Sequence, residues 1–202
     1  MSNQLSQSTT KENLMRALAG EALTCTRYKL AEKTCRQKQL FVLANLFKFT
    51  ASQEKIHAEV FHSHLIKTGC NSVEIAADYP NDISQEPLDL LTESDGFEQK
   101  ESDEVYPAFA ETARAEGFPD IARDFENIAA VEASHARRFR HYASLLENDR
   151  LFSSDCPEKW LCLNCGYLHD GTSAPETCPV CAQPQGWFIR LAETPWGLDT
   201  SC

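Results

Sequence analysis

Two pairs of residues in this 202-residue chain have the types and spacing of metal ligands: Glu54 with His57, and Glu132 with His135. Residues three apart on an α-helix are neighbours on one face, so each pair presents a carboxylate and an imidazole side by side. That combination suits iron, manganese or zinc. The chain also carries an internal control, Glu59 with His62, which begins five residues after Glu54. Five residues are ~140° round a helix at ~100° per residue. Its neighbours there are Lys48, Ser52 and Lys55, a solvated face. Glu59 and His62 are therefore expected at the surface. Further along, Cys162, Cys165, Cys178 and Cys181 form two Cys-x-x-Cys pairs separated by twelve residues. Four thiolates make a tetrahedral site for zinc or for a single iron ion. Zinc would make a structural ribbon and iron a one-electron carrier; the spacing does not choose between them.

These residues need elements to position them. From Lys11 to Cys35 the sequence predicts a helix with the stripe Leu14, Leu18, Glu21, Cys25 and Tyr28, which places a glutamate in an apolar face. A second helix is expected from Gln37 to Lys67, with Gly69 as its C-cap. Its stripe is Leu40, Leu43, Phe47, Thr50, Glu54, His57, Phe61 and Leu65, so Glu54 and His57 face the core. Residues 70–97 contain the turn signals Tyr79-Pro80-Asn81-Asp82, Glu86-Pro87 and Ser94-Asp95-Gly96. They read as a long crossover of the kind some four-helix bundles need. A third helix is expected from Phe97 to Glu116, carrying Glu98 and Glu101, with Val105, Ala108 and Thr112 extending the Glu101 face. Pro107 predicts a kink near Val105 or Tyr106. The fourth helix starts at Phe118-Pro119-Asp120 and shows the stripe Ile121, Phe125, Ile128, Glu132, His135, Phe139, Tyr142 and Leu146.

Buried carboxylates without partners are costly. Several of them converging with two imidazoles in one bundle core make sense only with cations among them. A glutamate from each of two helices plus Glu-x-x-His from each of the other two is the arrangement of ferritin-like di-iron bundles. Here that is Glu21 and Glu101, with Glu54/His57 and Glu132/His135. Glu98 is then an extra carboxylate, either at the surface or a seventh ligand. Tyr28 and Tyr106 fall near the level of the ligands, either as core residues with bonded hydroxyls or as groups that orient ligands or a bound oxygen species. Leu151 to Lys159 has loop composition and marks a boundary. The expected organisation is a mainly α four-helix bundle over 1–150 and a small β/loop metal module over 157–195. Trp160, Tyr167, Trp187 and Phe188 supply the module's aromatic core.

Composition narrows the partners. An apolar share of 42% and a charged share of 24% are those of a globular chain able to bury a core. A net charge of −11 argues against nucleic acid and anionic membranes. No apolar run is long enough to span a membrane. Met1 to Thr10 is polar, with neither a basic nor an apolar stretch, so no export signal is visible. The expectation is a cytoplasmic protein whose other cysteines (Cys25, Cys35, Cys70, Cys156 and Cys202) are reduced thiols. Cys25 reads as a small core residue.

The chain resembles the rubrerythrin family over nearly its whole length. The likeness is carried by Ala19-Gly20-Glu21 with Tyr28, by Gln53-Glu54-Lys55-Ile56-His57-Ala58, and by Glu132 with His135. It is also carried by Glu98 and Glu101 followed by Tyr106-Pro107 and Phe109-Ala110. Trp160, Cys162, Cys165-Gly166-Tyr167, Ala174-Pro175-Glu176, Cys178-Pro179 and Cys181 resemble the family's rubredoxin-like domain. Gly96 is one residue further from Glu98 than the family pattern has it, and Val105 stands where a Met is common. The resemblance implies a cytoplasmic peroxidase that reduces hydrogen peroxide to water. It further implies two iron ions on Glu21, Glu54, His57, Glu101, Glu132 and His135, with Glu98 exchanging with His57 as a ligand when the oxidation state changes. A third iron on the four cysteines would receive electrons from an NAD(P)H-linked donor protein or a rubredoxin. Because that iron serves a neighbouring subunit in family members, a homodimer or larger homo-oligomer is implied. Two competing functions are an iron-oxidising storage protein with a structural zinc ribbon, and a non-catalytic zinc-ribbon adaptor.

Overall fold

The computed structural model describes residues 2–81 and 84–194. Asp82 of the expected turn, Pro195 of the expected module and Cys202 lie outside the described residues. A short helix α1 (Ser2–Leu5) precedes α2 (Thr9–Gln37) and α3 (Phe41–Ile66). Then follow α4 (Pro87–Lys100), a π-helical turn (Glu101–Val105), α5 (Tyr106–Ala115) and α6 (Pro119–Glu147). Helix α2 packs on α3, and α4 and α5 pack on α6. Among the described residues no helix is long and apolar enough to cross a membrane.

Local chemistry sets the helix ends. Ser8 caps α2 by accepting from the Lys11 N–H at 3.1 Å, and the Glu116 carboxylate accepts from the Thr9 and Thr10 N–H groups at 3.0 and 2.8 Å. A side-chain acceptor and a negative charge at a helix N-terminus are both stabilising, so α2 starts before its apolar stripe does. No breaker separates α2 from α3. The turn is made by Gln39 at φ 59°, with the Leu40 N–H bonded back to the Cys35 carbonyl at 2.9 Å. A left-handed residue closing the last turn is a common helix stop. Gly117 (φ 85°) closes α5 and Asp149 (φ 55°) closes α6 in the same way.

The third helix departs from expectation twice. It begins at Pro87 rather than Phe97, so Ser94, Asp95 and Gly96 are helical. Tertiary contacts override their turn propensity: Leu90 and Leu91 are buried, and Arg140 of α6 donates twice to Asp95 at 2.7 and 2.9 Å. The expected kink is a widened π turn just ahead of Pro107, which accommodates a ring that would otherwise press on the preceding turn. That turn holds one extra residue, which rotates everything after it by ~100°. Ala108 is therefore exposed and Thr112 half-buried, while Tyr106, Ala110 and Ala113 face the core.

The core of the bundle is split in two. Tyr28, Phe47 and Phe139 sit in one apolar cluster with Leu43 and Leu91. Tyr106, Phe61 and Phe125 sit in the other with Leu14 and Ile121. Beyond α6 comes a small sheet of order β2-β1-β3, made of β1 (Ser153–Cys162), β2 (Leu168–Ser173) and β3 (Phe188–Arg190). The stretch 151–159, expected as loop, is largely strand. Its turn-forming residues are absorbed by an irregularity in the β1–β2 pairing between Ser153 and Glu158, where Pro157 lies. The sheet packs on the bundle where α2 meets α3. Trp187 stacks on Phe41 with ring centroids 4.4 Å apart, and Leu163 and Ile189 join the first apolar cluster.

The closest approach is at Gly186, where an added Cβ would fall 1.8 Å from the Gln39 carbonyl oxygen. Backbone meets backbone, so neither side can yield locally. Gly186→Ala should lift the sheet off the bundle at a cost of about 1–3 kcal/mol, the usual range for overpacking. Thermal unfolding followed by far-UV circular dichroism measures the loss, and an unchanged midpoint would contradict this contact.

Candidate metal centres

Between the two apolar clusters lies a layer of acids and imidazoles. Glu21 comes from α2, Glu54 and His57 from α3, Glu98 from α4, and Glu132 and His135 from α6. Their ligand atoms gather in two groups, Glu21/Glu54/His57/Glu132 and Glu54/Glu98/Glu132/His135. His57 Nδ1 lies 2.8 Å from Glu132, 3.1 Å from Glu54 and 3.7 Å from Glu21. His135 Nδ1 lies 2.7 Å from Glu132, 3.0 Å from Glu54 and 3.7 Å from Glu98. The two sets are near copies of each other. Glu54 turns Oε2 to His57 and Oε1 to His135, while Glu132 turns Oε1 to His57 and Oε2 to His135. Each of these carboxylates thus offers one oxygen to each group.

Each tyrosine holds the glutamate of the opposite half. Tyr28 donates to Glu98 and Tyr106 donates to Glu21. Burial, then the carboxylate charge nearby, raises both phenols well above their usual value, so each keeps its proton and remains a donor. Sequence reasoning gave Gln53 no role. In the structure its side-chain oxygen accepts from His135 Nε2 at 3.1 Å, leaving Nδ1 for the cluster. Such a partner fixes both tautomer and ring orientation. The signal available was Gln53's position directly before the Glu-x-x-His pair.

Glu98 and Glu101 sit differently in the layer. Glu98 is fully buried within the second group, whereas Glu101 belongs to neither group and is half-buried. Burial, then the charges of Glu132 and Glu54, raises the Glu101 carboxyl to about 8. Spacing could have found this. Glu21 precedes Tyr28 by seven residues, and Glu98 precedes Tyr106 by eight, the extra one being the insertion of the π turn. Glu59 and His62 are exposed, with Glu59 paired to Lys55 at 2.9 Å.

The donor set fits cations. Glu21 Oε2, Glu54 Oε1, Glu98 Oε2, both Glu132 oxygens and His135 Nδ1 are buried without a hydrogen bond among the described residues. Their mutual approaches are short but lack hydrogen-bond geometry, as befits donors arranged around metal. Carboxylates and imidazoles in two groups that share two carboxylates fit a pair of iron ions.

The cysteine site is a second, separate cluster. Cys162 and Cys181 Sγ atoms are 3.8 Å apart, and those of Cys165 and Cys178 are 3.6 Å apart. A tetrahedron with metal–sulfur bonds of about 2.3 Å has edges of about 3.8 Å. Both pairs sit on matching turns. The Gly166 N–H donates to Cys162 O and the Ala182 N–H to Cys178 O, at 2.8 and 2.9 Å. Gly166 and Ala182 take φ values of 80° and 56°. Burial pushes the Cys162 thiol up to about 12, while a hydrogen bond from Asn164 holds Cys181 down at about 6. These thiolates fit one iron ion.

A ferritin-like bundle with two acid–imidazole groups, followed by a tetrathiolate sheet, defines a di-iron carboxylate protein with a rubredoxin-like module. Residues 12–143 match the rubrerythrin family model and residues 160–189 match that of the rubrerythrin rubredoxin-like domain. Rubrerythrin-1 of Clostridium acetobutylicum is 37% identical over 91% of this chain and 95% of its own. The rubrerythrin of Nitratidesulfovibrio vulgaris is 37% identical over 93% and 96%. The all-ferrous structure of nigerythrin aligns over 94% of this chain and 92% of its own, with 27% identity and a TM-score of 0.61. The chain belongs to the rubrerythrin family.

Without metal, protons must hold the acid layer together. Burial raises Glu21 and Glu98 well above the carboxylate range. For His57 and His135 burial opposes charge but the adjacent carboxylates outweigh it, lifting His57 far above the imidazole range and His135 to about 11. Burial would also raise Glu54, yet the adjacent His135 and His57 imidazoles hold it at about 2. At neutral pH the metal-free layer therefore carries protons that a cation must displace. Ferrous loading should release protons at pH 7, and metal affinity should fall as pH falls. Calorimetric titration in buffers of different ionisation enthalpy counts them, and zero release would contradict this account.

Proposed function

We propose that the chain is a peroxidase that reduces hydrogen peroxide to water at the di-iron layer, with electrons arriving through the tetrathiolate iron. The observation that carries the reading is the sharing of Glu54 and Glu132, one oxygen to each group, because it sets two metal ions side by side. Such a pair, when bound, would supply the two electrons that hydrogen peroxide takes up, one from each ferrous ion. With two protons the balance is two waters per peroxide.

The residues divide the remaining work. Glu21, Glu54, His57, Glu98, Glu132 and His135 hold the metals, and Tyr28 and Tyr106 fix Glu98 and Glu21 in orientation. The aromatic clusters above and below the layer exclude water. Glu101 takes the mobile role that the family resemblance assigned to Glu98. Its support is its half-buried place on a widened turn and a carboxyl raised to about 8. Near neutral pH it can hold a proton at Oε and deliver it inward. The bundle over 1–150 is the peroxide-reducing unit, and 157–195 is the electron-accepting one, loaded by an NAD(P)H-linked donor protein or a rubredoxin. The same reading includes a homodimer or larger homo-oligomer in the cytoplasm.

Anaerobically reduced protein mixed with one equivalent of hydrogen peroxide should lose two electrons per peroxide, followed at the tetrathiolate absorption bands. Accumulation of iron beyond three per chain under air would instead indicate storage. Glu101→Ala should keep its iron but slow turnover by about a hundredfold, the low end for a positioned proton-transfer group. Glu98→Ala should lose bundle iron. Equal iron content and equal rates in the two variants would sink this division of roles.

A further inference from the structure

We infer that the gap bounded by Gly20 of α2, Tyr79 of the crossover and Glu101 of the π turn is the passage by which small solutes reach the metal layer, and that Tyr79 sets its size limit. The inference rests on the di-iron reading of the layer and adds residues to it that no ligand group contains.

The most exposed side chain beside the layer is Glu101. Glu21, Glu54, Glu98, Glu132 and His135 are at most 1% exposed and His57 is 7% exposed; Glu101 is half-buried. Along the bundle axis the layer is shut by Tyr28, Phe47 and Phe139 on one side and by Tyr106, Phe61 and Phe125 on the other. What faces Glu101 is Gly20, in the middle of a 29-residue helix. Glycine inside a helix is destabilising relative to alanine, so the space it leaves has a use. A Cβ at position 20 would lie 3.8 Å from Glu101 Oε1 and 3.5 Å from Tyr79 Cε1, ordinary contact distances. The slot between ring and carboxylate is thus about one methyl group wide.

The ring is held in place from outside the bundle. The Tyr79 hydroxyl donates to the Arg16 carbonyl at 2.9 Å, and Arg16 Nε donates to the Ala76 carbonyl at 3.3 Å. Two bonds to one residue pin the crossover to α2 directly over the slot. The ring stays 37% exposed, so its outer face meets solvent while its edge meets Gly20. A slot of this width passes water, hydrogen peroxide or azide and excludes a branched alkyl hydroperoxide.

The test uses iron-loaded protein matched for helicity and iron content. Azide association with the oxidised centre, by stopped-flow absorbance, reports passage without turnover. Gly20→Ala places a methyl group in the slot at contact distance and should slow azide by about tenfold or more, an added barrier of at least one power of ten. Tyr79→Ala should speed azide and let tert-butyl hydroperoxide oxidise the reduced centre, which the parent and Tyr79→Phe should resist. Azide rates within twofold of the parent in both Gly20→Ala and Tyr79→Ala, with unchanged hydroperoxide selection, would overturn the passage. If hydrogen peroxide fails to oxidise the parent's reduced centre, the peroxidase reading falls, while the azide rates still decide the passage.

Discussion

Four carboxylates and two imidazoles share one layer between two aromatic clusters, and the rest of the fold depends on how their charge is balanced. Glu54, Glu98 and Glu132 show no exposed surface and Glu21 shows 1%. Isolated charges in such a place cost several kcal/mol each. Protons on the imidazoles and on Glu21 and Glu98 can relieve part of this, but cations relieve it more fully because they also satisfy the orphaned oxygens. The price is a bundle whose stability is tied to metal, since a ligand that binds only the folded chain stabilises it by mass action. The four-helix scaffold is thus a device for holding mutually repelling groups until metal arrives.

The scaffold achieves this by near duplication. In α3, Phe47 stands seven residues before Glu54 and Phe61 four after His57; in α6, Phe125 and Phe139 keep the same spacing about Glu132 and His135. Tyr28 packs on Phe47 and Phe139, and Tyr106 packs on Phe61 and Phe125. Each aromatic trio therefore closes the layer from one side and aims a hydroxyl into it. Because each tyrosine bonds the glutamate of the opposite half, neither half can shift without disturbing the ligand set of the other.

Much of this was legible in the sequence. Helical phase alone separated Glu54/His57 from the exposed Glu59/His62, since core-facing and solvent-facing stripes differ in composition along the same helix. Four helices, a crossover and a cysteine module could be read from periodicity and spacing. The places where reading fell short share a cause, namely non-local contacts that override local signals. Ser94-Asp95-Gly96 reads as a turn, yet Arg140 and a buried Leu90 hold it helical. The stretch 151–159 reads as loop, yet pairing with β2 makes most of it strand. Gln39 and Asp149 take left-handed conformations that glycine usually signals. The π turn was visible only as a proline, and with its one-residue insertion Glu98 lies inside the second ligand group and Glu101 beside it.

That insertion is also what keeps the two halves from being identical. A fully symmetric layer, sealed by aromatic clusters at both ends and by buried glutamates at both sides, would hold metal and admit nothing. Opposite Glu21 the turn carries an additional carboxylate, Glu101, and opposite Glu101 helix α2 carries a residue without a side chain, Gly20. Widening a helix lowers the regularity of its hydrogen bonds and so weakens it locally. The weakness falls at the most exposed carboxylate beside the layer, which is where a reactive site would exchange protons and solutes with its surroundings. Symmetry sets the two ligand groups, and the departure from it falls at Glu101.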